Sequence, residues 1–164
     1  MKEVTLYTDG AARGNPGPGG WAALLRRGGR EEELSGGYRR TTNNRMELLA
    51  AIEGLAALER PCRVDLFTDS RYLVDAMEKG WARRWQARGW MRTPREEARN
   101  PDLWQRLLAL CARHRVTFRW IRGHAGHREN ERCDRLCRQA ARRPELPPDE
   151  GYESPPPPPG SLFG

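Results

Sequence analysis

Apolar residues in the first 143 positions follow two patterns, the short runs typical of strands and the wider spacing typical of helices. Helical spacing begins after the capping residues Thr42–Asn44, with Leu48, Ile52 and Leu55 on one face. Further helices are predicted at 71–78, with Ser70 as the capping residue, and at 81–88, 101–114 and 129–143. Apolar runs that end at turn residues predict strands at 4–8, 21–25, 31–38, 64–68 and 116–121.

These elements follow the order βββαβαααβα and predict an α/β fold. Turn residues join the first three strands, which is typical of an antiparallel meander. Helices precede each of the last two strands, as in parallel strands joined by crossovers. We therefore expect a mixed five-stranded sheet, with three antiparallel strands followed by two parallel ones and helices on both faces.

Residues 144–164 differ in composition from the rest of the chain. They hold eight of the 13 prolines and four acidic residues but no lysine or arginine. This composition is typical of disordered or polyproline segments. We expect one folded domain at 1–143 and a disordered tail at 144–164, whose removal should leave activity nearly intact.

Charge is divided unequally between these two parts. The formal net charge of the chain is +7, but it is +11 for residues 1–143 and −4 for the tail. A domain this basic suggests a polyanionic partner, with nucleic acid as the first candidate. The alternative is that the charge serves solubility alone.

Several classes of protein do not fit the sequence. The longest apolar runs have five or six residues, whereas a membrane-spanning helix needs about 20. The N-terminal residues lack the apolar segment of a signal peptide. The four cysteines show no disulfide pattern, which favours a reducing compartment. We expect a cytoplasmic monomer that does not associate with membranes.

Four acidic residues lie at positions typical of a catalytic site. Asp9 and Asp69 each end a predicted strand, Glu47 lies in the first turn of a helix, and Asp134 lies on the last helix. Each alone could be a turn residue, a helix-capping residue or a surface charge. Together they would repel one another unless cations were bound, and carboxylate oxygens suit Mg²⁺ or Mn²⁺. Two such ions about 4 Å apart can hydrolyse a phosphodiester.

A zinc site is a weaker alternative. Cys133 and Cys137 are four residues apart on the last helix, with His124 and His127 nearby. Structural zinc sites usually use more closely spaced ligand pairs, so this arrangement is not favoured.

Six sequence blocks stand in order through about residues 3–142, namely Thr8–Gly10, Gly14–Trp21, Thr42–Leu48, Thr68–Ser70, Gly123–His127 and Glu129–Asp134. Together they resemble bacterial type 1 ribonuclease H. The family resemblance implies a ribonuclease H-like fold and Mg²⁺-dependent endonucleolytic cleavage of the RNA strand in RNA–DNA hybrids. Mn²⁺ is a possible substitute, and two ions are expected with substrate bound.

The resemblance also implies roles for individual residues. Asp9, Glu47, Asp69 and Asp134 correspond to the metal-binding carboxylates. His124 corresponds to a histidine in a mobile loop that assists proton transfer or product release, and the neighbouring glycines would permit such movement.

Substrate contacts are implied at a second set of positions. Contacts to the minor groove of the hybrid are expected from residues of the first two motifs, Gly10, Asn15, Asn43, Asn44 and Glu47. Thr42 and Arg71 are also expected to bind substrate. At Arg71 the chain departs from the family, which has glutamine there, and an arginine at this position could reach a phosphate or a base edge.

Residues 79–99 resemble the basic protrusion of the bacterial family, which grips the DNA strand. The segment has seven basic residues with three interleaved tryptophans, a mixture suited to tracking phosphates. Trp81 could contact substrate, but Trp81 and Trp85, together with Trp104, are better explained by core packing. The candidate contacts in the basic protrusion are Trp81, Arg83, Arg84 and Arg88.

Two other functions remain open at this point. A nuclease of the same fold could act on DNA, as a junction resolvase or integrase-like enzyme does, although Asn43, Asn44 and the basic protrusion argue against this. A non-catalytic hybrid-binding module is the other, and the four carboxylates argue against it.

Overall fold

The computed structural model describes residues 1–123 and 126–157. The described residues form one five-stranded sheet and six helices. The strands are β1 (Lys2–Ala12), β2 (Gly17–Arg27), β3 (Arg30–Thr41), β4 (Cys62–Thr68) and β5 (Arg115–Trp120). The helices are α1 (Asn43–Ala56), α2 (Arg71–Glu78), α3 (Trp81–Ala87), α4 (Pro101–Arg113), α5 (Arg128–Ala141) and α6 (Glu150–Glu153).

The sheet has the strand order β3-β2-β1-β4-β5. The first three strands pair antiparallel, and β4 pairs parallel with both β1 and β5. This confirms the predicted mixed sheet. The first three strands are longer than predicted because backbone pairing continues through polar and glycine residues, as where Ala12 pairs with Gly19.

Helices cover both faces of the sheet, as predicted. The side chains of β2 alternate between the two faces, so Ala23 and Leu25 join the core beneath α1, whereas Ala22 and Leu24 pack against α5. Both faces of this strand are therefore buried. Helix α5 is thereby held against the same central strands as α1, from the opposite side.

The tryptophans of the basic protrusion are structural. Trp85 packs edge-to-face against Trp104 of α4, with ring centroids 5.7 Å apart, and both side chains are buried. Trp90 is also buried. Tyr72 of α2 extends the aromatic cluster. The interpretation of Trp85 and Trp104 as packing residues is confirmed, and this packing joins the base of the protrusion to the domain.

The prediction of a disordered tail from residue 144 is wrong for residues 147–154. The backbone N–H of Arg39 donates to the carbonyl of Pro147 at 2.9 Å, and helix α6 follows. Asp149 is only 6% exposed and forms an ion pair with the buried Arg45, with a distance of 2.7 Å from Nε to Oδ2. Composition alone could not reveal this pairing, because the partner lies 104 positions earlier. Residues 158–164 lie outside the described part of the chain.

None of the helices in the described ranges combines the length and apolar character that a bilayer crossing requires.

Candidate active site

Two of the predicted carboxylates lie at the same edge of the sheet. Strands β1 and β4 are parallel neighbours, with Tyr7 opposite Phe67. Two positions further on, Asp9 and Asp69 therefore occupy adjacent places, and the backbone N–H of Gly10 donates to Oδ1 of Asp9 at 2.9 Å. The carboxyl ends of parallel strands are where ligands bind in α/β folds.

Glu47 approaches Asp9 because α1 packs unusually close to β1. A Cβ atom at Gly10 would overlap the backbone carbonyl of Met46, so only glycine permits this approach. Thr42 begins the helix, and its hydroxyl accepts a hydrogen bond from the backbone N–H of Arg45 at 3.3 Å. Gly10, predicted as a substrate contact, thus also has a structural role in the site.

Two more side chains reach this edge, Asp134 from α5 and Ser70 from the start of α2. Carboxylate oxygens of Asp9 and Asp134 and the sulfur of Cys137 all lie within 4.8 Å of one another. Asp134 is partly neutralised by Arg138, whose Nε lies 3.1 Å from Oδ1. On the other side, the hydroxyl of Ser70 donates a hydrogen bond to Glu47.

The electrostatics of the site show that the four carboxylates act on one another. Burial, followed by the charges of Asp69, Asp134 and Glu47, raises the pKa of Asp9 from 3.8 to about 8, partly offset by the Gly10 hydrogen bond. Burial and the charge of Asp69 raise the pKa of Glu47 to about 7, and the Ser70 hydrogen bond opposes this. A cluster of oxygen donors that resists ionisation is suited to a hard divalent cation, which would neutralise it.

The raised pKa of Asp9 makes the free energy of unfolding depend on pH. The raised pKa of Asp9 means that the folded protein holds a proton between about pH 4 and pH 8 that the unfolded chain has released. In the absence of divalent cations, the stabilisation that comes from holding this proton is fully present below about pH 4. It decreases as the pH rises and is lost by about pH 8. An Asp9→Asn variant lacks the titrating group.

We therefore expect the Tm of metal-free Asp9→Asn to exceed that of the wild type by an amount that grows with pH, reaching roughly 5 °C at pH 8. Thermal unfolding in EDTA at several pH values checks this, with Asp65→Asn as a control for removing a carboxylate on the neighbouring strand β4. A difference that shrinks as the pH rises would contradict the assignment of a strained carboxyl to Asp9.

The predicted substrate residues of the first two motifs form one surface. Oδ1 of Asn43 accepts from the backbone N–H of Ala12 at 2.6 Å, and the backbone N–H of Asn43 donates to Oδ1 of Asn15 at 3.1 Å. Asn15, Thr42 and Asn44 also line an open cavity of about 800 Å³. The turn after β1 and the start of α1 are thus bound to each other through the asparagines.

In the basic protrusion, Arg83, Arg84 and Arg88 are exposed, as a phosphate-binding role requires. Arg84 donates to the carbonyl of Lys79 at 3.2 Å. Trp81 is only partly exposed and packs against the core, with the Lys79 ammonium 5.6 Å from its ring. Its place in the protrusion therefore includes a packing role, and a contact with substrate stays a prediction.

His124 lies outside the described residues. The residue before it, Gly123, is close to the carboxylates, since a Cβ atom there would lie 2.8 Å from Oδ2 of Asp69. The described chain therefore lies beside the carboxylates at the residue before His124.

The zinc alternative gains no support from the part of the chain that the structure describes. The thiol of Cys133 donates to the carbonyl of Tyr7 at 3.5 Å, and His127 is exposed. The metal-ligand group that includes Cys137 is formed with Asp9 and Asp134 instead.

Sequence reasoning did not identify Ser70 or Trp120 as parts of this site. Ser70 was expected only to cap α2, which it does by accepting from the N–H of Leu73 at 3.2 Å. Trp120 ends β5, opposite Thr68, and its Nε1 donates to the carbonyl of Asp69 at 3.1 Å. Only the register of β4 and β5 reveals this contact.

Known proteins are similar to this chain over most of its length. The RNase H family matches residues 1–142. A protein named Ribonuclease H from Syntrophus aciditrophicus (strain SB) is 62% identical over 152 residues, covering 93% of this chain and 88% of that protein. The crystal structure of LC9-RNase H1, a type 1 RNase H with the type 2 active-site motif, is 36% identical with a TM-score of 0.75, covering 86% of this chain and 72% of that one. That of LC11-RNase H1 in complex with RNA/DNA hybrid has a TM-score of 0.66, covering 84% of this chain and 96% of that one; at 24% identity its likeness concerns the fold.

Proposed function

This chain belongs to the ribonuclease H family, and we propose that Asp9, Glu47, Asp69 and Asp134 hold two Mg²⁺ ions with which it hydrolyses the RNA strand of RNA–DNA hybrids. The observation that carries the proposal is the convergence of these four carboxylates at one edge of the sheet. Carboxylate oxygens of Asp9 and Asp134 lie within 4.8 Å of each other, Asp69 is adjacent through the pairing of β1 with β4, and Glu47 lies on the helix packed against Gly10. Mn²⁺, which has similar ligand preferences, is a possible substitute.

The residues of the site contribute in different ways to binding these ions. Asp9 is the most buried of the four and is fixed by the N–H of Gly10, whereas Ser70 orients the carboxylate of Glu47. When bound, the two ions would activate a water molecule and stabilise the leaving oxygen of an in-line displacement. Without cations, the negative charge of the cluster would repel the phosphate of the substrate.

His124 is proposed to assist proton transfer or product release. The support is its position directly after Gly123, where a Cβ atom would meet the Asp69 carboxylate. The glycines at 123 and 126 permit the backbone changes that such a role requires, and Gly126 has a positive φ of 80°.

Discrimination between hybrid and DNA is proposed to reside in the surface formed by Asn15, Thr42, Asn43 and Asn44. Recognition of RNA against DNA depends on the 2′-hydroxyl, which both donates and accepts hydrogen bonds. Amide and hydroxyl side chains beside the carboxylates suit that contact. The arginines of the basic protrusion are proposed to bind phosphates of the DNA strand.

Matched substrates test the proposed function directly. With Mg²⁺, we expect the purified protein to cut the RNA strand of a hybrid and to leave duplex DNA, duplex RNA and single-stranded RNA of the same sequence intact. Asp69→Asn, purified in parallel, controls for contaminating nucleases. Equal cleavage of duplex DNA would contradict hybrid specificity and favour a DNA nuclease of the same fold.

We also propose that the enzyme acts as a monomer in the cytoplasm. All four carboxylates come from a single chain, so no second copy is needed to complete the site. The four cysteines are free thiols, which fits a reducing compartment. Light scattering on the purified protein would measure its mass in solution.

A further inference from the structure

An arginine and a tryptophan are stacked at the edge of the carboxylate cluster. The guanidinium carbon of Arg71 lies 4.7 Å from the centre of the Trp120 ring. Trp120 is 43% exposed, although it is a large aromatic residue, and its indole N–H is fixed to the backbone carbonyl of Asp69. The stack is therefore anchored to a residue of the catalytic site and faces solvent.

Arg71 differs from neighbouring arginines in its charge environment. Arg119 is paired with Asp65 at 2.8 Å, and Arg138 with Asp134 at 3.1 Å. No carboxylate within residues 1–123 and 126–157 forms an ion pair with Arg71, whose contact is the tryptophan ring. Its positive charge is thus not neutralised, and its hydrogen-bond donors are not used by an acidic partner.

We infer that Arg71 binds a backbone phosphate of the hybrid next to the carboxylate site, and that Trp120 is a positioning residue that holds the guanidinium for this contact. The inference deepens the proposed function and rests on it. Arginine presents a planar set of donors that matches a phosphate, and stacking on an aromatic ring limits its movement before binding. Pre-ordering the side chain reduces the entropy that binding would otherwise cost.

A phosphate contact and a base contact differ in their response to salt. Each phosphate neutralised on a duplex contributes about 0.9 to the slope of log affinity against log salt concentration, because a condensed counterion is released. A contact to a base edge leaves this slope almost unchanged and alters sequence preference instead. The salt slope therefore identifies the part of the nucleic acid that Arg71 contacts.

The experiment measures binding of a short RNA–DNA hybrid between about 50 and about 200 mM KCl, in a Glu47→Gln background so that cleavage does not interfere. We expect Arg71→Gln to weaken binding roughly tenfold at the lowest salt. We also expect the slope of log affinity against log salt concentration to be smaller by about 0.9 in Arg71→Gln. Between the lowest and the highest salt, the affinity of this variant should therefore fall about 3.5-fold less than that of the parent. Arg30→Gln is the matched control, because Arg30 is exposed at the opposite edge of the sheet.

Variants of Trp120 test its positioning role. We expect Trp120→Ala to weaken binding and Trp120→Phe to restore most of it, because phenylalanine still offers a ring face to the guanidinium. In a double-mutant cycle, Trp120→Ala should have almost no further effect once Arg71 is glutamine. Tm measurements on each variant check that folding is retained.

Three results would overturn the inference. An unchanged salt slope in Arg71→Gln would show that no phosphate is bound there. A full effect of Trp120→Ala in the Arg71→Gln background would show that Trp120 contacts the substrate directly. Equal effects of Trp120→Phe and Trp120→Ala would show that the ring does not hold the guanidinium. Failure of the wild-type protein to cut the hybrid would instead refute the proposed function, and the binding slopes would be interpreted separately.

Discussion

Replacing Asp69 by asparagine is expected to lower Mg²⁺-dependent cleavage of a hybrid by at least about a thousandfold. The substitution keeps the size of the side chain but removes one of four negative charges that we propose to bind the cations. Stabilisation of a phosphodiester transition state by metal ions amounts to several kcal/mol, and about 4 kcal/mol corresponds to a thousandfold change in rate. Single-turnover cleavage of a labelled hybrid measures the effect.

The matched control is Asp65→Asn, which makes the same change within β4, the strand that Asp69 follows. Asp65 pairs with Arg119 at the surface and is not part of the carboxylate cluster. We expect its rate to stay within about twofold of the wild type, since exposed ion pairs contribute little. If Asp69→Asn cleaved as fast as this control, the assignment of the metal site would be wrong.

Replacing Asp149 by alanine is expected to lower the free energy of unfolding by about 3–5 kcal/mol. This is the usual cost of leaving one member of a buried ion pair without its partner. Arg45 is only 3% exposed, and Asp149 accepts hydrogen bonds from both Arg45 and the hydroxyl of Thr41, at 2.7 Å each to Oδ2. In this variant Asp102 would still form an ion pair with Arg45, but it could not also accept the hydrogen bond that Nε of Arg45 donates to Asp149. Thermal unfolding should show a Tm lower by about 10 °C.

Glu153→Ala provides the control for this loss. Glu153 also joins the C-terminal segment to the domain, through Arg39, but that arginine is exposed. We expect a change below about 1 kcal/mol. Similar losses in both variants would mean that the segment is held by its general charge rather than by the buried pair.

The same network changes the expectation for shortening the chain. Arg45 lies two positions before Glu47, so losing its partner also loosens the turn of α1 that presents this carboxylate. Deletion of 144–164 is therefore expected to reduce both stability and cleavage, contrary to the sequence-based expectation. Deletion of 158–164 leaves Asp149 and α6 in place, and it should have little effect on either measurement.

Local patterns were sufficient for most of the fold. Helix α2 begins and ends where its cap and apolar spacing predict, with Ser70 as the N-cap. Strand ends were less predictable, because Gly17 and Thr41 pair through their backbones whatever their side chains are. The C-terminal segment was misread because its order depends on Arg45, and no local pattern marks a partner so distant in sequence.

The residues of the candidate site also divide into those that the sequence could predict and those that it could not. The carboxylates could be identified from the motifs, since their chemistry is visible in the residue types themselves. Trp120 could not, because its contact with Asp69 depends on the register of two parallel strands joined through three helices. Ser70 had an adequate explanation as a helix cap, which concealed its second hydrogen bond to Glu47.

Gly10 sets the distance between two of the carboxylates without contributing a side chain to either. The separation of Asp9 and Glu47 is fixed by how closely the backbones of β1 and α1 can approach, and a single methyl group at Gly10 would collide with the helix. The proposed cation site therefore depends on the missing side chain at Gly10 as well as on its four acidic residues. A redesign that kept all four acids but enlarged this position would retain the chemical groups and lose their spacing.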